Sequence, residues 1–294
     1  MSRPGIAPLA YRLPDALHLG QVSLQISEME RSLAYYQDVL GFRLLGRDGG
    51  VAKLGSQAGD TTLVELREVK GTQAVGRHAK LGLYHFAILL PTRAALGSLV
   101  QHLTAIGAPV GSADHLVSEA LYLRDPDGLG IEVYADRPRD TWQLDGQQLK
   151  MASDPLDFGD LVQAANGAPW TGLPEGTVMG HVHLHVGNID DAAAFYHVGL
   201  GLDIVVWQYP GALFMSAGGY HHHLGVNTWA GRDALPAGDA DARLVEWHML
   251  LPSQQDVEAA ATSLEQSGYE VKHAGDDRLA RDPWGTRVRL LRDC

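Results

Sequence analysis

Three histidines alternate with apolar residues in one short stretch of the sequence, at His181, His183 and His185. Successive side chains of a β-strand point to opposite faces, so this pattern predicts a strand with three imidazoles on one face and Val182 and Leu184 on the other. Imidazole binds metal ions and transfers protons near neutral pH, and either use would explain such a face. A polar solvent face or a structural histidine cluster would give the same pattern, so the stretch alone leaves its role open.

Other side chains capable of similar chemistry interrupt apolar stretches. His85 and Glu132 each lie within a strand-like apolar run, and a second histidine cluster occupies residues 221–223. An isolated histidine in such a run is more often a hydrogen-bonded core residue than a ligand, and Glu132 could face solvent instead. On residue type alone, these positions are candidates for a metal or proton-transfer site, with core packing as the alternative.

The composition describes a globular protein and disfavours two classes of partner. The chain has 294 residues, of which 45% are hydrophobic and 20% charged. A net charge of −12 works against binding to nucleic acid or to an anionic membrane surface. No run approaches the ~20 apolar residues of a membrane helix, and residues 1–13 lack the apolar core of a secretion signal. Cys294 is the single cysteine, which excludes an internal disulfide, and we expect a cytoplasmic location.

The chain repeats itself, so the elements that position these side chains are predicted together. Residues 20–42 match residues 180–202, and residues 83–128 match residues 244–285, including an Arg-Asp-Pro-x-Gly turn in both. The sequence therefore consists of two similar halves, each made of two different units.

Each unit is predicted to run strand, helix, then three strands. Alternation and helical spacing give the first unit a strand at 17–26, a helix at 32–40 that Gly41 ends, and strands at 42–47, 51–54 and 62–68. The second unit is predicted to have a strand at 83–90, a helix at 94–106 and closing strands at 120–123 and 130–134. The proline-containing stretch between the halves reads as a connector with a short helix at 158–165.

Four tandem βαβββ units resemble the vicinal oxygen chelate superfamily, which includes glyoxalases, bleomycin resistance proteins and extradiol dioxygenases. The stretches 82–91, 118–128, 181–186 and 219–225 are similar to the two-module catechol 2,3-dioxygenases of bacilli. The resemblance implies an α+β fold in which the units form two incomplete β-barrel modules around a metal. The implied domains are an N-terminal module at 1–137, a connector at 138–177 and a C-terminal module at 178–294.

The resemblance also implies where the metal ligands lie, because this superfamily takes them from the first and last strands of its units. Arg289 stands in the repeat where Glu132 stands, and an arginine cannot bind a cation. The ligand set that remains is His85, Glu132 and His181, which requires the second unit to pair with the third and the first with the fourth. Two histidines and one carboxylate suit non-haem Fe(II), with Mn(II) as a second candidate.

The remaining site residues are also carried over from the resemblance. It implies acid/base catalysis by His222, a substrate hydrogen bond from Tyr122 and an outer role for His115, although Tyr122 could be a core aromatic and His115 a loop cap. Strand alternation leaves open which residue of 221–223 faces the substrate. We expect the substrate pocket to be lined by His183, His223 and Trp229.

The function implied is an extradiol, ring-cleaving dioxygenase that acts on a catechol-like aromatic diol with O2, in a possible homo-oligomer. A second hypothesis is a metal-dependent isomerase, because Gln21, Glu65, His85 and Glu132 resemble the ligand set of glyoxalase I. A third is a non-catalytic resistance protein that binds an aromatic ligand.

Overall fold

The computed structural model describes residues 4–76 and 80–293, so Cys294 lies outside these ranges. The strands are β1 (His18–Ile26), β2 (Arg43–Asp48), β3 (Val51–Gly55), β4 (Val64–Glu68), β5 (Lys80–Leu89), β6 (Gly111–Asp114), β7 (Ser118–Arg124), β8 (Gly130–Asp136), β9 (Leu144–Asp145), β10 (Gln148–Leu149), β11 (Val178–His185), β12 (Asp203–Val206), β13 (Ala212–Ser216), β14 (Leu224–Asn227), β15 (Leu235–Pro236), β16 (Arg243–Leu251), β17 (Val271–Ala274), β18 (Asp277–Arg281) and β19 (Arg287–Arg292). The α-helices are α1 (Met29–Ala34), α2 (Arg93–Ala105), α3 (Phe158–Ala164), α4 (Ile189–Ala193) and α5 (Gln254–Gln266). Over the described ranges, no helix has the length and apolar character needed to cross a membrane.

Two large curled sheets contain all four βαβββ units. One has the strand order β17-β18-β19-β16-β1-β4-β3-β2, and the other has the order β12-β13-β14-β11-β5-β8-β7-β6. The first sheet therefore joins the first and fourth units and the second joins the second and third, as the sequence predicted. Because both sheets draw strands from both halves of the chain, the boundaries 1–137, 138–177 and 178–294 remain a prediction.

The central strands of each sheet come from different halves and run antiparallel, β1 with β16 and β5 with β11. In β11 the apolar residues Val182 and Leu184 are fully buried in the main hydrophobic core. The intervening histidines occupy the opposite, concave face, as alternation along a strand requires. The buried apolar face thus fixes the register that directs all three imidazoles to one side.

Two elements differ from the sequence prediction. The helix predicted at 32–40 begins at Met29 and changes to a π-helical turn at Tyr35–Val39, and α4 changes in the same way at Ala194–Gly199. The position of strand β6 was not predicted, although the βαβββ order requires a strand here, because its small and polar residues show no alternation of apolar and polar positions. It forms the edge of the second sheet through its pairing with β7.

Matching hydrogen bonds connect the π-helical turns with the Asp-Pro turns of neighbouring units. The hydroxyl of Tyr36 donates to Asp125 Oδ2 at 3.4 Å, and that of Tyr196 donates to Asp282 Oδ2 at 3.0 Å. Burial raises the pKa of Asp125 to about 7 and that of Asp282 to about 6. Each turn therefore holds a buried carboxyl group whose pKa is raised towards neutral pH.

The connector packs on the second unit. Helix α3 confirms the short helix predicted at 158–165, and it lies against α2, where a side-chain carbon at Gly97 would collide with the backbone oxygen of Leu161. The segment 151–153, which precedes α3 in the chain, forms part of the wall of a cavity beside the second sheet.

Candidate metal centre and active site

Three adjacent strands bring His85, Glu132 and His181 together on the concave face of the second sheet. His85 lies on β5, Glu132 on β8 and His181 on β11, and β5 runs between the other two. Nε2 of His85 lies 3.0 Å from Glu132 Oε2, and Nε2 of His181 lies 3.2 Å from the same oxygen. All three residues are at most 4% exposed, and their ligand atoms lie within 4.8 Å of one another.

This arrangement fits a metal ion. Metal–nitrogen and metal–oxygen bonds of about 2.1 Å at right angles separate neighbouring donor atoms by roughly 3.0 Å, close to the distances observed here. Nε2 of His85 contacts the carboxylate without an aligned hydrogen bond, so its lone pair is available to a ligand. Within residues 4–76 and 80–293, this is the one group of three or more His, Cys, Asp or Glu side chains with converging ligand atoms.

The electrostatics of the cluster favour the protonation states that bind a cation. Burial lowers the pKa of both His85 and His181, against the raising effect of Glu132. Burial alone would raise the pKa of Glu132, but the adjacent His181 and His85 hold it well below its usual value. Neutral imidazoles and an ionised carboxylate all present lone pairs, which is the form that metal binding requires.

The histidine run 221–223 lies in an irregular segment before β14, so strand alternation does not decide its side-chain directions. The ring of His222 lies 4.0 Å from the ring of His181 and faces the cavity. His221 lies behind it, with Nδ1 2.8 Å from His222 Nδ1 and Nε2 2.9 Å from Asp136 Oδ1. Burial lowers the pKa of His222 well below its usual value.

His223 does not line the cavity, in contrast to the pocket role predicted for it. Its Nδ1 accepts a hydrogen bond from the backbone N–H of Ala217 at 3.2 Å, and its ring packs against Tyr220 at 5.0 Å. The tight turn at residues 217–220 directs this side chain towards backbone rather than towards the concave face.

Tyr122 and His115 form a hydrogen-bonded pair on the other side of the metal ligands from His222. Tyr122 stands beside Glu132 in the pairing of β7 with β8, and its hydroxyl lies 2.5 Å from His115 Nε2. His115 Nδ1 lies 2.6 Å from the carbonyl oxygen of Ala152, so this nitrogen is the donor. Burial raises the pKa of Tyr122 well above its usual value, so the phenol stays protonated.

A cavity of about 630 Å³ opens above the cluster. The predicted pocket residues His183 and Trp229 line it together with Tyr84, Tyr209 and Phe214, and successive rings of this group lie 5.1–6.2 Å apart. Such spacings are typical of edge-to-face aromatic contacts. The wall runs from Tyr84, beside His85, to Trp229, which is 37% exposed. Residues 108–113 and 151–153 also line the cavity, and Ser153 Oγ lies 2.9 Å from the hydroxyl of Tyr209.

Comparison with known proteins places the chain in a family. The model of the Glyoxalase/Bleomycin resistance protein/Dioxygenase superfamily matches residues 18–133 and again residues 178–293. The chain belongs to this superfamily. A catechol-2,3-dioxygenase of Bacillus subtilis (strain 168) is 42% identical to it over 269 residues, which is 90% of this chain and 94% of that relative. The predictions of the superfamily and of a dioxygenase-like enzyme are confirmed by these matches.

Solved structures of the superfamily share the fold. A putative dioxygenase of Bacillus subtilis subsp. subtilis str. 168 superimposes with a TM-score of 0.65 at 15% identity, covering 96% of this chain and 86% of that one. Glyoxalase I from Zea mays superimposes with a TM-score of 0.56 at 18% identity, covering 94% of this chain and 92% of that one. These likenesses confirm the predicted fold class.

The glyoxalase-like ligand set of this superfamily is not assembled here. Gln21 and Glu65 lie on β1 and β4 of the first sheet, whereas His85 and Glu132 lie on the second. Glu65 Oε1 accepts hydrogen bonds from Ser23 at 3.1 Å and from Arg67 at 2.7 Å. Two glutamates that the sequence grouped together are therefore separated, because the units pair across the halves rather than within them.

The corresponding position of the first sheet holds an ion pair instead of a metal site. Arg289 donates from Nε and Nη2 to the two carboxylate oxygens of Glu246, at 2.5 and 3.1 Å. The guanidinium group supplies the positive charge at this position, as expected for a residue that cannot bind a cation.

The sequence did not indicate Tyr84, Asp136 or Asn227 as parts of the site, whereas His221 was one of the three candidates at 221–223. Asp136 and His221 are joined only by folding, and no spacing in the sequence indicates their contact. Asn227 could have been recognised from the sequence, because it is a polar residue at the end of an apolar strand. In the structure it is buried, and its strand pairs with the histidine strand β11.

Proposed function

We propose that the chain is an extradiol dioxygenase that opens the ring of a catechol with O2 at an Fe(II) ion held by His85, Glu132 and His181. The observation that carries the proposal is the convergence of these three side chains under an aromatic-lined cavity. Two histidines and one carboxylate leave open positions on one side of a non-haem iron. The 42% identity to a protein named catechol-2,3-dioxygenase supports the same reaction.

A bound Fe(II) ion would supply adjacent coordination positions for a diol and O2, and the electron transfer between them. The same donors accept Mn(II), which is the second candidate metal. The rest of the chemistry is proton transfer and positioning, for which the chain's own residues suffice.

His222 is proposed as the group that removes and returns a proton. His221 Nε2 and Asp136 Oδ1 form a hydrogen bond of 2.9 Å. Since a carboxylate can only accept, His221 Nε2 is the protonated donor. Nδ1 of neutral His221 then accepts from His222 Nδ1–H at 2.8 Å, which leaves Nε2 of His222 unprotonated. This nitrogen can take a proton from a ring hydroxyl and later return it as an acid.

Tyr122 is proposed to orient the substrate. Because His115 Nδ1 donates to Ala152, its Nε2 accepts the hydroxyl proton of Tyr122. The phenol oxygen keeps its lone pairs and can accept a hydrogen bond from a substrate hydroxyl held beside Glu132. In this arrangement the aromatic ring of the substrate would lie between Tyr122 and His222.

The cavity indicates a substituted catechol. A cavity of about 150 Å³ holds benzene, so 630 Å³ is about four times the space that one ring requires. Tyr209, Phe214 and Trp229 line this cavity, and their rings favour apolar and aromatic groups. We therefore expect catechols with an apolar substituent to have a lower KM than catechol itself.

The test is anaerobic reconstitution with Fe(II), Mn(II), Ni(II) or Zn(II), followed by catechol and 4-alkylcatechols in air. The proposal predicts O2 uptake and a yellow ring-opened product with Fe(II) or Mn(II) alone. Isomerisation of a glutathione hemithioacetal with Ni(II) or Zn(II), without O2 uptake, would instead support the glyoxalase hypothesis. Tight binding of an aromatic ligand without any metal would support sequestration, and light scattering would test the predicted homo-oligomer.

A further inference from the structure

Asn227 lies behind the cavity wall, between two histidines of β11. Its Nδ2 lies 2.9 Å from His183 Nε2, and its Oδ1 lies 2.7 Å from His185 Nδ1. Asn227 is fully buried and stands opposite His185 in the parallel pairing of β14 with β11. The proposed reaction does not use it.

The orientation of the Asn227 amide is determined by a backbone donor. The backbone N–H of Trp229 donates to Asn227 Oδ1 at 3.0 Å. A backbone N–H cannot accept a hydrogen bond, so the atom facing it must be the amide oxygen. The NH2 group therefore faces His183 and donates to Nε2. A neutral imidazole that accepts at Nε2 carries its proton on Nδ1.

The surroundings of His183 leave this Nδ1–H to a ligand. The ring lines the cavity and packs edge to face against His85 and Tyr84, at 5.0 and 5.1 Å. Its face lies over Gly225, where a Cβ would come within 2.9 Å of the ring, so only glycine leaves room for it. In the described part of the chain, no acceptor is bonded to His183 Nδ1. Because the Asn227 amide donates to Nε2, that nitrogen carries no proton and the ring is neutral.

We propose that Asn227 is a positioning residue that holds His183 in the Nδ1–H tautomer, so that His183 donates a hydrogen bond to an oxygen atom of the bound substrate. The identity of that substrate as a catechol rests on the proposed function, but the tautomer does not. The cavity then presents a donor at His183 and an acceptor at His222, whose rings lie 5.5 and 5.0 Å from the ring of Phe214. A diol with one ionised and one protonated oxygen matches this pair.

The discriminating variant is Asn227→Asp. It keeps the size of the side chain and the acceptor for Trp229 and His185, but it replaces the amide donor by a carboxylate oxygen. That oxygen requires a proton on His183 Nε2, which reverses the tautomer. Asn188→Asp is the matched control, because Asn188 is an exposed helix cap that accepts from backbone N–H groups, which aspartate does equally well.

The measurement uses zinc-loaded protein, which binds catechol without turnover. With 15N-labelled histidine, NMR should show Nδ1–H for His183 in the wild type, assigned with His183→Gln, and Nε2–H in Asn227→Asp. Titration with catechol should give about tenfold weaker binding to Asn227→Asp and unchanged binding to Asn188→Asp. In the iron enzyme, KM should rise about tenfold while kcat changes little.

An Nε2–H signal for His183 in the wild type would overturn the proposal, even if Asn227→Asp failed to fold. Equal catechol binding by the wild type and Asn227→Asp would overturn it as well. If the NMR and binding results are as expected but the iron-loaded enzyme does not cleave the ring, the proposed function would be refuted and the role of Asn227 would still be supported.

Discussion

Substitution of Glu132 by Gln should remove metal binding while preserving the shape of the site. Glu132 is the single carboxylate among the three side chains, and Oε2 lies 3.0 and 3.2 Å from the two histidine nitrogens. With Gln, a dication would face only neutral donors in a buried site. Removing one partner of a buried charge pair costs about 3–5 kcal/mol, which corresponds to a loss of affinity of roughly 10²–10⁴-fold.

Competition with a chromophoric chelator under nitrogen, with Fe(II) and with Mn(II), measures this loss. Glu65→Gln is the matched control, since Glu65 is also buried but hydrogen-bonds Ser23 in the first sheet. We expect wild-type affinity for the control and a circular dichroism spectrum like that of the wild type for both variants. Wild-type affinity in Glu132→Gln, or loss of affinity in Glu65→Gln, would refute the assignment of the ligands.

Three further predictions concern proton transfer and stability. His222→Asn should keep its metal but lose about 10²–10⁴-fold in kcat, because a general acid/base is removed; a kcat near wild type would contradict its role. Burial raises the pKa of Glu246, but hydrogen bonds from His248 and Arg289 lower it to about 2, so Arg289→Met should lose up to about 3 kcal/mol of unfolding free energy at pH 7. The difference in unfolding free energy between the wild type and Arg289→Met should shrink as the pH falls from 4.5 towards 2. Urea unfolding at pH 7 and pH 3 measures it, and the same difference at both pH values would contradict the prediction. Because burial raises the pKa of Asp125 to about 7, the folded state keeps this proton while the unfolded state ionises, so the unfolding free energy of the wild type should fall by up to about 1.4 kcal/mol per pH unit between pH 3.8 and 7. The unfolding free energy of Asp125→Asn should not fall in this way with pH. Equal pH dependence of the wild type and Asp125→Asn in urea unfolding would contradict the raised pKa of Asp125.

The pairing of the units could be predicted because one residue broke the repeat. Arg289 occupies the position of Glu132, so a site built from the last two units had no carboxylate, and His181 needed partners from the second unit. The observed order of strands β11, β5 and β8 agrees with that deduction. Hydrophobic alternation predicted the central strands β1, β5 and β11, since each has apolar residues in the core.

Other features depend on contacts that the sequence does not contain. Neither the direction of His223 nor the pairing of His221 with Asp136 follows from spacing, because residues 221–223 lie outside any strand. Strand β6 forms from small residues because β7 supplies a hydrogen-bonding edge. The change from α- to π-helical turns at Tyr35 accompanies the hydrogen bond between Tyr36 and Asp125, a residue of a different unit.

X-ray absorption spectroscopy of the iron-loaded protein, together with anomalous diffraction at the iron edge, would identify the atoms that bind the metal. We expect one ion bound by Nε2 of His85, Nε2 of His181 and a carboxylate oxygen of Glu132, with bond lengths of about 2.0–2.2 Å. An ion bound by Gln21 and Glu65, or an ion outside the cavity with these three side chains unligated, would contradict it.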